Sequence, residues 1–277
     1  MLEGHAIVND KELDTLLQAI NRIYRFDFSG YSKESIKRRI KRFMENDRFT
    51  DMAALEHAVI SQPAYFERFV EEITVNVTDM FRNPTFFKSL KDEVFPVLKK
   101  LPFIRIWHAG CATGEEVYSM AILLMEAGLL EKSLLYGTDL NAKVLDTAKN
   151  GIYPLNHIKT YSENYIHCGG TQSLSNYFTL KYNQVIFNED LRQRMVYSVH
   201  NLVTDQSFNE FHLILCRNVL IYFQQDLQTK VIDLFSRSLS PGGILGLGAK
   251  ESIYNYPRKD DFIYLNKPER IMVKTAK

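Results

Sequence analysis

Residues 104–139 constrain the fold more than any other part of the sequence. They read in order as an apolar strand, a glycine-bearing turn, an apolar helix, a second strand and an acid, over residues 104–107, 108–114, 115–124, 134–138 and Asp139. A nucleoside at the C-terminal edge of a parallel sheet needs bare backbone to approach, which glycine permits, and a carboxylate for its ribose about twenty residues further on. Gly110, Gly114 and Asp139 supply both features.

The glycine turn alone does not decide the ligand. Ala112 stands where the G-x-G-x-x-G pattern has its middle glycine, and the spacing differs. Gly110 and Gly114 could equally be turn residues of any α/β protein. Glu115 and Glu116 could simply favour the positive end of the helix dipole. The surrounding sequence therefore has to discriminate between these interpretations.

Composition excludes several classes of protein. The chain has 277 residues, enough for one large domain or a small and a medium one, and its 45% apolar and 24% charged residues are typical of a globular protein. A formal net charge of +1 provides no overall field to attract nucleic acid or membrane. Cys111, Cys168 and Cys216 lack C-x-x-C spacing, so we expect neither a disulfide framework nor a bound metal.

The sequence predicts a cytoplasmic protein. The N-terminus has no basic region followed by an apolar core, so a secretion signal is not expected. The most apolar helical stretch is interrupted by Glu126 and falls well short of a membrane span.

The first 90 residues read as helices with short polar connections. Three helices are predicted, over residues 32–45, 53–60 and 64–73. The helix over residues 32–45 is predicted most clearly, because Ser32 can serve as its N-cap and its apolar residues form a continuous stripe. We therefore predict an all-helical domain over residues 1–90 and an α/β domain over residues 91–277.

Strands alternate with helices beyond residue 104, which is typical of a parallel α/β sheet. The predicted elements are a helix over 141–149 ending at Gly151, strands over 195–200, 211–216 and 244–248, a helix over 225–239 with a Pro-Gly-Gly turn after it, and a closing hairpin over 262–265 and 270–273. Short strand-like runs over 177–180 and 184–187 predict a small antiparallel β subdomain at about residues 175–200. A mostly parallel sheet closed by a hairpin favours a methyltransferase domain over a dinucleotide dehydrogenase.

Four separated segments resemble the bacterial chemoreceptor methyltransferases of the CheR family, in the expected order. They are residues 76–82 (NVTDMFR), 110–119 (GCATGEEVYS), 137–140 (GTDL) and 216–223 (CRNVLIYF). The resemblance implies a Rossmann-like S-adenosylmethionine-dependent methyltransferase domain and a small helical domain. It also implies methyl transfer from S-adenosylmethionine to glutamates on the cytoplasmic helices of chemoreceptors. The products would be glutamyl methyl esters, which serve sensory adaptation, and S-adenosylhomocysteine.

The resemblance further implies which residues contact the cofactor. They are Asn76, Thr78, Arg82, Gly110, Gly114, Glu116, Asp139, Asn201, Leu202, Arg217 and Asn218. Asp139 would accept the two ribose hydroxyls, and Asn201-Leu202 would lie against the adenine. Glu116, or its neighbour Glu115, would hold the methionine ammonium. The alignment of the following Tyr118-Ser119 with the family segment favours Glu116.

Methylation of a glutamate needs no general base, because its carboxylate is already ionised at neutral pH. Methyl transfer is accelerated instead by alignment of the attacking oxygen, the methyl group and the sulfur, and by dehydration of the carboxylate. By the resemblance, Arg82 and Tyr222 lie at the methyl-transfer centre. We assign Arg82 to orienting cofactor and carboxylate, and Tyr222 to positioning or a hydrogen bond. The alternative for Tyr222 is a core aromatic beside Phe223.

The helical domain offers a surface for the receptor. Residues 33–42 carry six basic and one acidic side chain, and such a run is usually a solvated helix face. The family uses a basic helix of this kind to meet acidic receptor helices. The resemblance therefore implies substrate recognition by Lys37, Arg38, Lys41 and Arg42. The enzyme would reach membranes only through receptors and would not bind nucleic acid.

One departure from the family pattern concerns receptor tethering. Some members dock a C-terminal receptor pentapeptide by strand addition at a glycine-containing turn of the β subdomain. The corresponding turn here, residues 181–183, has no glycine. This departure argues against a pentapeptide tether.

Three other functions compete with this interpretation. A nucleic-acid or small-molecule methyltransferase is disfavoured because the Asn/Asp-Pro-Pro-aromatic sequence and a broad basic stripe are both absent from the sequence. A non-catalytic module that senses S-adenosylmethionine would lack turnover, yet every candidate contact residue is present. A nicotinamide dehydrogenase is disfavoured by the closing hairpin and the altered glycine turn.

Overall fold

The structure is a computed structural model that describes residues 8–74 and 77–275. These residues fall into two compact units, one within Met1–Val75 and Tyr222–Lys230 and the other within Asn76–Ile221 and Val231–Lys277. In the described ranges no helix combines the length and hydropathy that a membrane span requires. The predicted domain limits, at residue 90 and at about residues 175–200, stay predictions.

The first unit contains four N-terminal helices. Helices α1 to α4 run over Asp10–Tyr24, Lys33–Asp47, Met52–Ser61 and Pro63–Ile73. The side chains of Asn9, Ser32 and Asp51 cap the first three by accepting a backbone N–H of the first turn. Pro63 begins the fourth, where its missing N–H costs nothing. The three helices predicted from the sequence are confirmed as α2, α3 and α4.

A segment from much later in the chain packs with these helices. The backbone N–H of Gln224 donates to the Gly30 carbonyl at 2.8 Å, and the rings of Tyr31 and Phe223 meet edge to face with centroids 4.8 Å apart. Gly30 has no room for a side chain, because a Cβ would lie 2.8 Å from Leu227 Cδ2.

The second unit is built on one large sheet. Strands β1 to β10 run over Ile104–Ala109, Ser133–Asp139, Ile152–Pro154, Phe178–Lys181, Gln184–Phe187, Met195–Val199, Phe211–Cys216, Leu239–Leu247, Phe262–Asn266 and Ile271–Lys274. Seven of them form a sheet in the order β6-β2-β1-β7-β8-β10-β9, in which the first five are parallel and β10 is antiparallel to both neighbours. Helices α5 to α10 run over Pro84–Ser89, Phe95–Leu98, Glu115–Glu126, Ala142–Asn150, Ile158–His167 and Glu189–Arg192. Helix α11, Gln225–Ser238, begins in the first unit and continues into the second from Val231. The predicted fold class, including the closing hairpin, is confirmed.

Strands β3, β5 and β4 form a separate antiparallel sheet in that order. Two of them, β4 and β5, confirm the short runs predicted from the sequence. The third strand, β3, was not predicted, because three residues directly after the helix stop at Gly151 are too few to show an alternating pattern.

Strand β8 begins earlier than predicted. The Pro-Gly-Gly sequence at 241–243, predicted as a turn before the strand, lies inside it. The ladder with β7 steps from the pair Phe211–Leu239 to the pair Leu213–Ile244, so the extra residues form an irregularity within the strand. Gly242 permits this with a φ of 73°.

Trp107 on β1 anchors the core of the main sheet. Its side chain is fully buried, and its ring centroid lies 5.1–5.3 Å from those of Phe208, Phe211 and Phe235. The indole N–H donates to Thr138 Oγ1 at 2.8 Å. Because this bond satisfies the one polar atom of the indole, the whole side chain can be buried without penalty.

Phe235→Ala should lower the free energy of unfolding by about 3–5 kcal/mol, since it removes a fully buried ring that packs on Trp107. Urea titration followed by emission of Trp107, the one tryptophan of the chain, measures the loss. Ile263→Ala is the control, because Ile263 is 63% exposed and its truncation should change stability by no more than about 0.5 kcal/mol. Equal losses in the two variants would contradict the packing described above.

Candidate cofactor site

Loops that carry glycine and polar residues follow four neighbouring parallel strands at the same edge of the main sheet. They follow β1, β2, β7 and β8, and contain residues 110–114, Asp139, residues 217–218 and residues 248–251. The C-terminal ends of parallel strands meet at one edge, and open α/β sheets bind their ligands there. We call this edge the carboxyl edge.

The turn after β1 is tied to β2. The backbone N–H groups of Gly110 and Cys111 donate to the Thr138 carbonyl at 2.8 and 2.9 Å, and the Ala112 N–H donates to Asp139 Oδ2 at 2.9 Å. Ala112 has a φ of 47°, a left-handed conformation that alanine seldom adopts. The bond to Asp139 therefore supports a strained turn.

Neighbouring protein atoms, as well as the backbone, require glycine at positions 110 and 114. Their φ angles are 74° and 92°. A Cβ on Gly110 would overlap a γ-methyl of Val219, and one on Gly114 would lie 2.7 Å from Ala148 Cβ. Contact of either glycine with a cofactor stays a prediction, but neither position accepts a larger residue.

The Asp139 carboxylate lies buried at the tip of β2. Its Oδ1 accepts the Asn141 N–H at 3.0 Å, and its Oδ2 accepts the Ala112 N–H at 2.9 Å. Burial raises the pKa of Asp139 and outweighs these bonds, which lower it. A carboxylate has about four acceptor positions, so this one can still accept further donors.

These residues fit the ribose of a nucleoside cofactor. The buried Nδ2 of Asn141 has no hydrogen-bond partner in the part of the chain that the structure describes, and it belongs to the same turn as the Asp139 carboxylate. A ribose diol offers O–H donors to a carboxylate and oxygen acceptors to an amide. S-adenosylmethionine, which the sequence implies, carries such a diol.

Glu116 lies between an imidazole and a guanidinium. Its Oε1 is 2.9 Å from His108 Nδ1, and its Oε2 accepts from Arg217 Nη1 at 3.0 Å. Burial raises the pKa of Glu116, but the hydrogen bond with His108 and the charge of Arg217 outweigh it and hold the pKa below its usual value. Glu116 is therefore ionised at neutral pH. Sequence analysis missed His108. The signal that could have revealed it was a polar ring near the C-terminal end of a mostly apolar strand.

Arg217 connects the end of β7 to the segment before α5. Its Nη2 donates to the Arg82 carbonyl at 3.0 Å and to Asn83 Oδ1 at 2.9 Å. Its guanidinium lies 3.9 Å from the centroid of the Phe86 ring. Phe81 and Asn83, on either side of Arg82, have φ angles of 52° and 60°, so Arg217 holds a strained turn in place.

Glu115 differs in its surroundings from the adjacent Glu116. It is 5% exposed, and its carboxylate accepts the Thr113 hydroxyl at 2.6 Å and the Tyr161 hydroxyl at 3.4 Å. Burial raises the pKa of Glu115 to about 7. Two neighbouring acids at the start of α7 therefore differ in their charge near neutral pH.

Glu251, in the loop after β8, is a second residue that sequence analysis missed. Its Oε2 accepts the backbone N–H groups of Gly248 and Asn218 at 2.6 and 3.0 Å, and its Oε1 accepts those of Val219 and Leu220 at 2.8 Å each. The sequence feature that could have revealed Glu251 is an acidic residue shortly after a glycine-rich strand end at the carboxyl edge.

The structure gives Asn201 and Leu202 a place after β6. Asn201 forms an Asx turn, in which its Oδ1 accepts the Val203 N–H at 2.9 Å and its own N–H donates to Asp205 Oδ2 at 2.9 Å. Leu202 is half-buried. Contact of this pair with an adenine stays a prediction.

The two predicted catalytic residues belong to different units. Arg82, in the second unit, is half-buried and donates from Nη1 to the Val77 carbonyl at 3.2 Å. Tyr222, in the first unit, has the Arg39 guanidinium 5.6 Å from its ring centroid. Thr78 is half-buried, and Asn76 lies outside the described residues.

The predicted recognition face of α2 is mostly paired within the first unit. Three of its four basic residues meet carboxylates, Lys37 with Asp10, Lys41 with Glu45 and Arg42 with Glu72. Arg38 is exposed and has no ion-pair or hydrogen-bond partner in residues 8–74 or 77–275. Receptor recognition by these residues stays a prediction.

Two family models match successive parts of the chain. The CheR methyltransferase all-alpha domain matches residues 11–74, and the CheR methyltransferase SAM binding domain matches residues 76–270. The chain belongs to the CheR methyltransferase family. The match includes the carboxyl edge with all the loops described above.

Relatives from three bacteria are similar to this CheR chain over most of their length. Cher3 of Pseudomonas putida, which carries a methyltransferase name, is 43% identical over 266 residues, or 96% of this chain and 97% of its own. A chemotaxis protein methyltransferase of Listeria monocytogenes is 29% identical over 90% of this chain and 94% of its own. Chemotaxis protein methyltransferase 1 of Vibrio cholerae is 32% identical over 71% of this chain and 72% of its own.

Glu115→Gln should change how stability depends on pH. The pKa of Glu115 is raised from 4.5 to about 7 in the folded chain. Between these values the unfolded chain loses the proton first, so the free energy of unfolding falls as pH rises, by up to about 3 kcal/mol. Glutamine does not titrate, so the variant should gain stability relative to the native chain from about pH 5 to about pH 8.

Urea titrations across this range measure the difference. Glu131→Gln is the control, because the Glu131 side chain is 84% exposed and its substitution should change stability by no more than about 0.5 kcal/mol. If Glu115→Gln and the native chain had parallel slopes, Glu115 would titrate as an ordinary carboxyl, against the burial described above.

Proposed function

We propose that this chain is a cytoplasmic protein-glutamate O-methyltransferase whose substrates are chemoreceptors. Family membership brings a domain that binds S-adenosylmethionine, and relatives in Listeria and Vibrio are named chemotaxis protein methyltransferases. The observation that carries the proposal is the ionised Glu116–Arg217 pair joined to the Arg82 turn. A module that only sensed the cofactor would not need a guanidinium presented on a strained turn.

Each polar group at the carboxyl edge has a proposed task toward the cofactor. S-adenosylmethionine supplies a methyl group already activated on a sulfonium. Asp139 accepts the ribose hydroxyls, and ionised Glu116 attracts the methionine ammonium, with Glu115 as the alternative. Further contacts are assigned to Asn76, Thr78, Arg82, Gly110, Gly114, Asn201, Leu202, Arg217 and Asn218.

No residue of this chain has to act as a general acid or base. The attacking group is a receptor glutamate, whose carboxylate is ionised at neutral pH. The guanidinium of Arg82 orients that carboxylate toward the methyl group and helps to remove its water. Tyr222 positions it through a hydrogen bond. Alignment of this kind is a large source of rate acceleration.

The proposed partner is an acidic helix of a receptor's cytoplasmic part. Arg38 has no internal partner among the described residues and is the most available cation of α2. Lys37 and Lys41 can exchange their exposed carboxylate partners for receptor carboxylates, and Arg42 can exchange the half-buried Glu72. Exposed ion pairs contribute only about 0–1 kcal/mol, so such an exchange costs little. The glycine-free turn at residues 181–183 favours recognition without a pentapeptide tether.

Tritiated methyl transfer from S-adenosylmethionine to membranes of the source organism tests the proposed reaction. We expect alkali to release the label as a volatile product, because carboxyl methyl esters hydrolyse in base and methylated nitrogen does not. Stable label would move the target to nitrogen, nucleic acid or a small molecule. Binding of S-adenosylhomocysteine with no label on any fraction would favour a sensing module.

Arg82→Ala should lower the single-turnover rate at saturating cofactor by about a hundredfold or more, because it removes the charge that orients the attacking carboxylate. Cofactor affinity should change much less. Arg194→Ala is the matched control, since the Arg194 guanidinium meets only the exposed carboxylate of Glu131 among the described residues. A single-turnover rate equal to that of the control would remove Arg82 from the reaction.

A further inference from the structure

The Glu251 carboxylate joins two loops of the carboxyl edge that are far apart in sequence. One loop follows β8 and contains Gly248 and Glu251 itself. The other follows β7 and contains residues 218–220, whose three consecutive backbone N–H groups all donate to this carboxylate. The Gly248 N–H is the fourth donor. A Cβ on Gly248 would lie 2.6 Å from Glu251 Oε2, so glycine is needed for this close approach.

Within the described part of the chain, the hydrogen bonds to the Glu251 carboxylate come from four backbone N–H groups. The residue is 3% exposed, and no salt bridge to it occurs within residues 8–74 and 77–275. Burial raises the pKa of Glu251 and outweighs the four N–H bonds, which lower it. Successive N–H groups that converge on one point form an anion-binding concavity. The carboxylate therefore supplies an acceptor to three consecutive N–H groups of the loop after β7.

The loop that Glu251 holds meets three parts of the cofactor site. Val219 packs against the bare face of Gly110, where a Cβ would overlap its γ-methyl. Asn218 has a φ of 62°, a left-handed conformation that needs support from outside the residue. Arg217 directly precedes it and binds Glu116 through Nη1. A shift of this loop would displace all three together.

We propose that Glu251 is a positioning residue for the S-adenosylmethionine site. It acts through the backbone of residues 218–220 and fixes Val219 on the glycine turn, Asn218 in its left-handed conformation and Arg217 against Glu116. It makes no contact with substrate. The inference rests on the cofactor site of the proposed function and does not depend on the methyl acceptor.

Glu251→Gln tests the proposal, because it replaces one acceptor oxygen by an NH₂ group that faces two N–H donors. We expect the dissociation constant for S-adenosylhomocysteine, measured by calorimetry, to rise about tenfold or more. Without ligand, hydrogen exchange in peptides that cover residues 217–221 should become faster. Neither readout involves a receptor, so a failure here leaves the proposed reaction untouched, and a wrong methyl acceptor leaves these results unchanged.

Glu126→Gln is the control for loss of a half-buried carboxylate that accepts several hydrogen bonds. Glu126 Oε1 accepts the Thr171 N–H at 3.1 Å and the hydroxyls of Tyr165 and Tyr177, away from the carboxyl edge. Its substitution should lower the melting temperature and speed exchange near residues 165–177, while the dissociation constant stays at the native value. Both variants are compared at a temperature at which Trp107 emission shows them folded.

Two outcomes would overturn the proposal. The first is native affinity for S-adenosylhomocysteine in folded Glu251→Gln. The second is an equal loss of affinity in Glu126→Gln, which would make the effect one of general stability. If Glu251→Gln does not fold, Glu251→Asp decides, because it keeps the charge but is one methylene too short to reach both loops. Weaker binding by Glu251→Asp supports positioning, and native binding refutes it.

Discussion

A buried guanidinium holds the two sides of the carboxyl edge together. The Arg217 side chain is 3% exposed, and taking such a charge out of water costs several kcal/mol unless partners compensate it. Glu116, the Arg82 carbonyl and Asn83 Oδ1 accept its hydrogen bonds, and the face of Phe86 covers it. None of these partners belongs to the loop after β7 that carries Arg217. This one charge therefore fixes the start of α7 and the turn before α5 relative to that loop.

The same interaction explains how the site tolerates unfavourable backbone conformations. Phe81, Asn83, Ala112 and Asn218 all have positive φ, at a cost of about 1–3 kcal/mol each. Asn83, Ala112 and Asn218 are hydrogen-bonded to Arg217, Asp139 and Glu251 respectively, and Phe81 precedes Arg82, whose carbonyl Arg217 binds. Strain at these positions persists because buried charges over-determine the loops, and removing one charge would release several strained residues at once.

Sequence patterns predicted the elements better than the contacts between them. The parallel strands, the helix stop at Gly151 and the closing hairpin follow from local periodicity and turn chemistry, which a few consecutive residues reveal. Glu251 binds N–H groups more than thirty residues earlier in the chain, and β3 pairs with residues thirty or more positions later. Such partners are chosen by the folded topology. The pairing of the basic residues of α2 could not be predicted for the same reason, since Asp10 of α1 and Glu72 of α4 approach them only after folding.

The cysteines of the carboxyl edge have a consequence for a site that binds a methyl donor. Cys111 lies in the turn after β1, and Cys216 ends β7. Burial raises the pKa of both thiols well above the ordinary value, and the nearby Asp139 and Glu251 carboxylates raise it further for Cys111 and Cys216 respectively. Only a thiolate is a good nucleophile. The fold therefore keeps both sulfur atoms of this edge as thiols, the form in which cysteine reacts poorly with alkylating reagents.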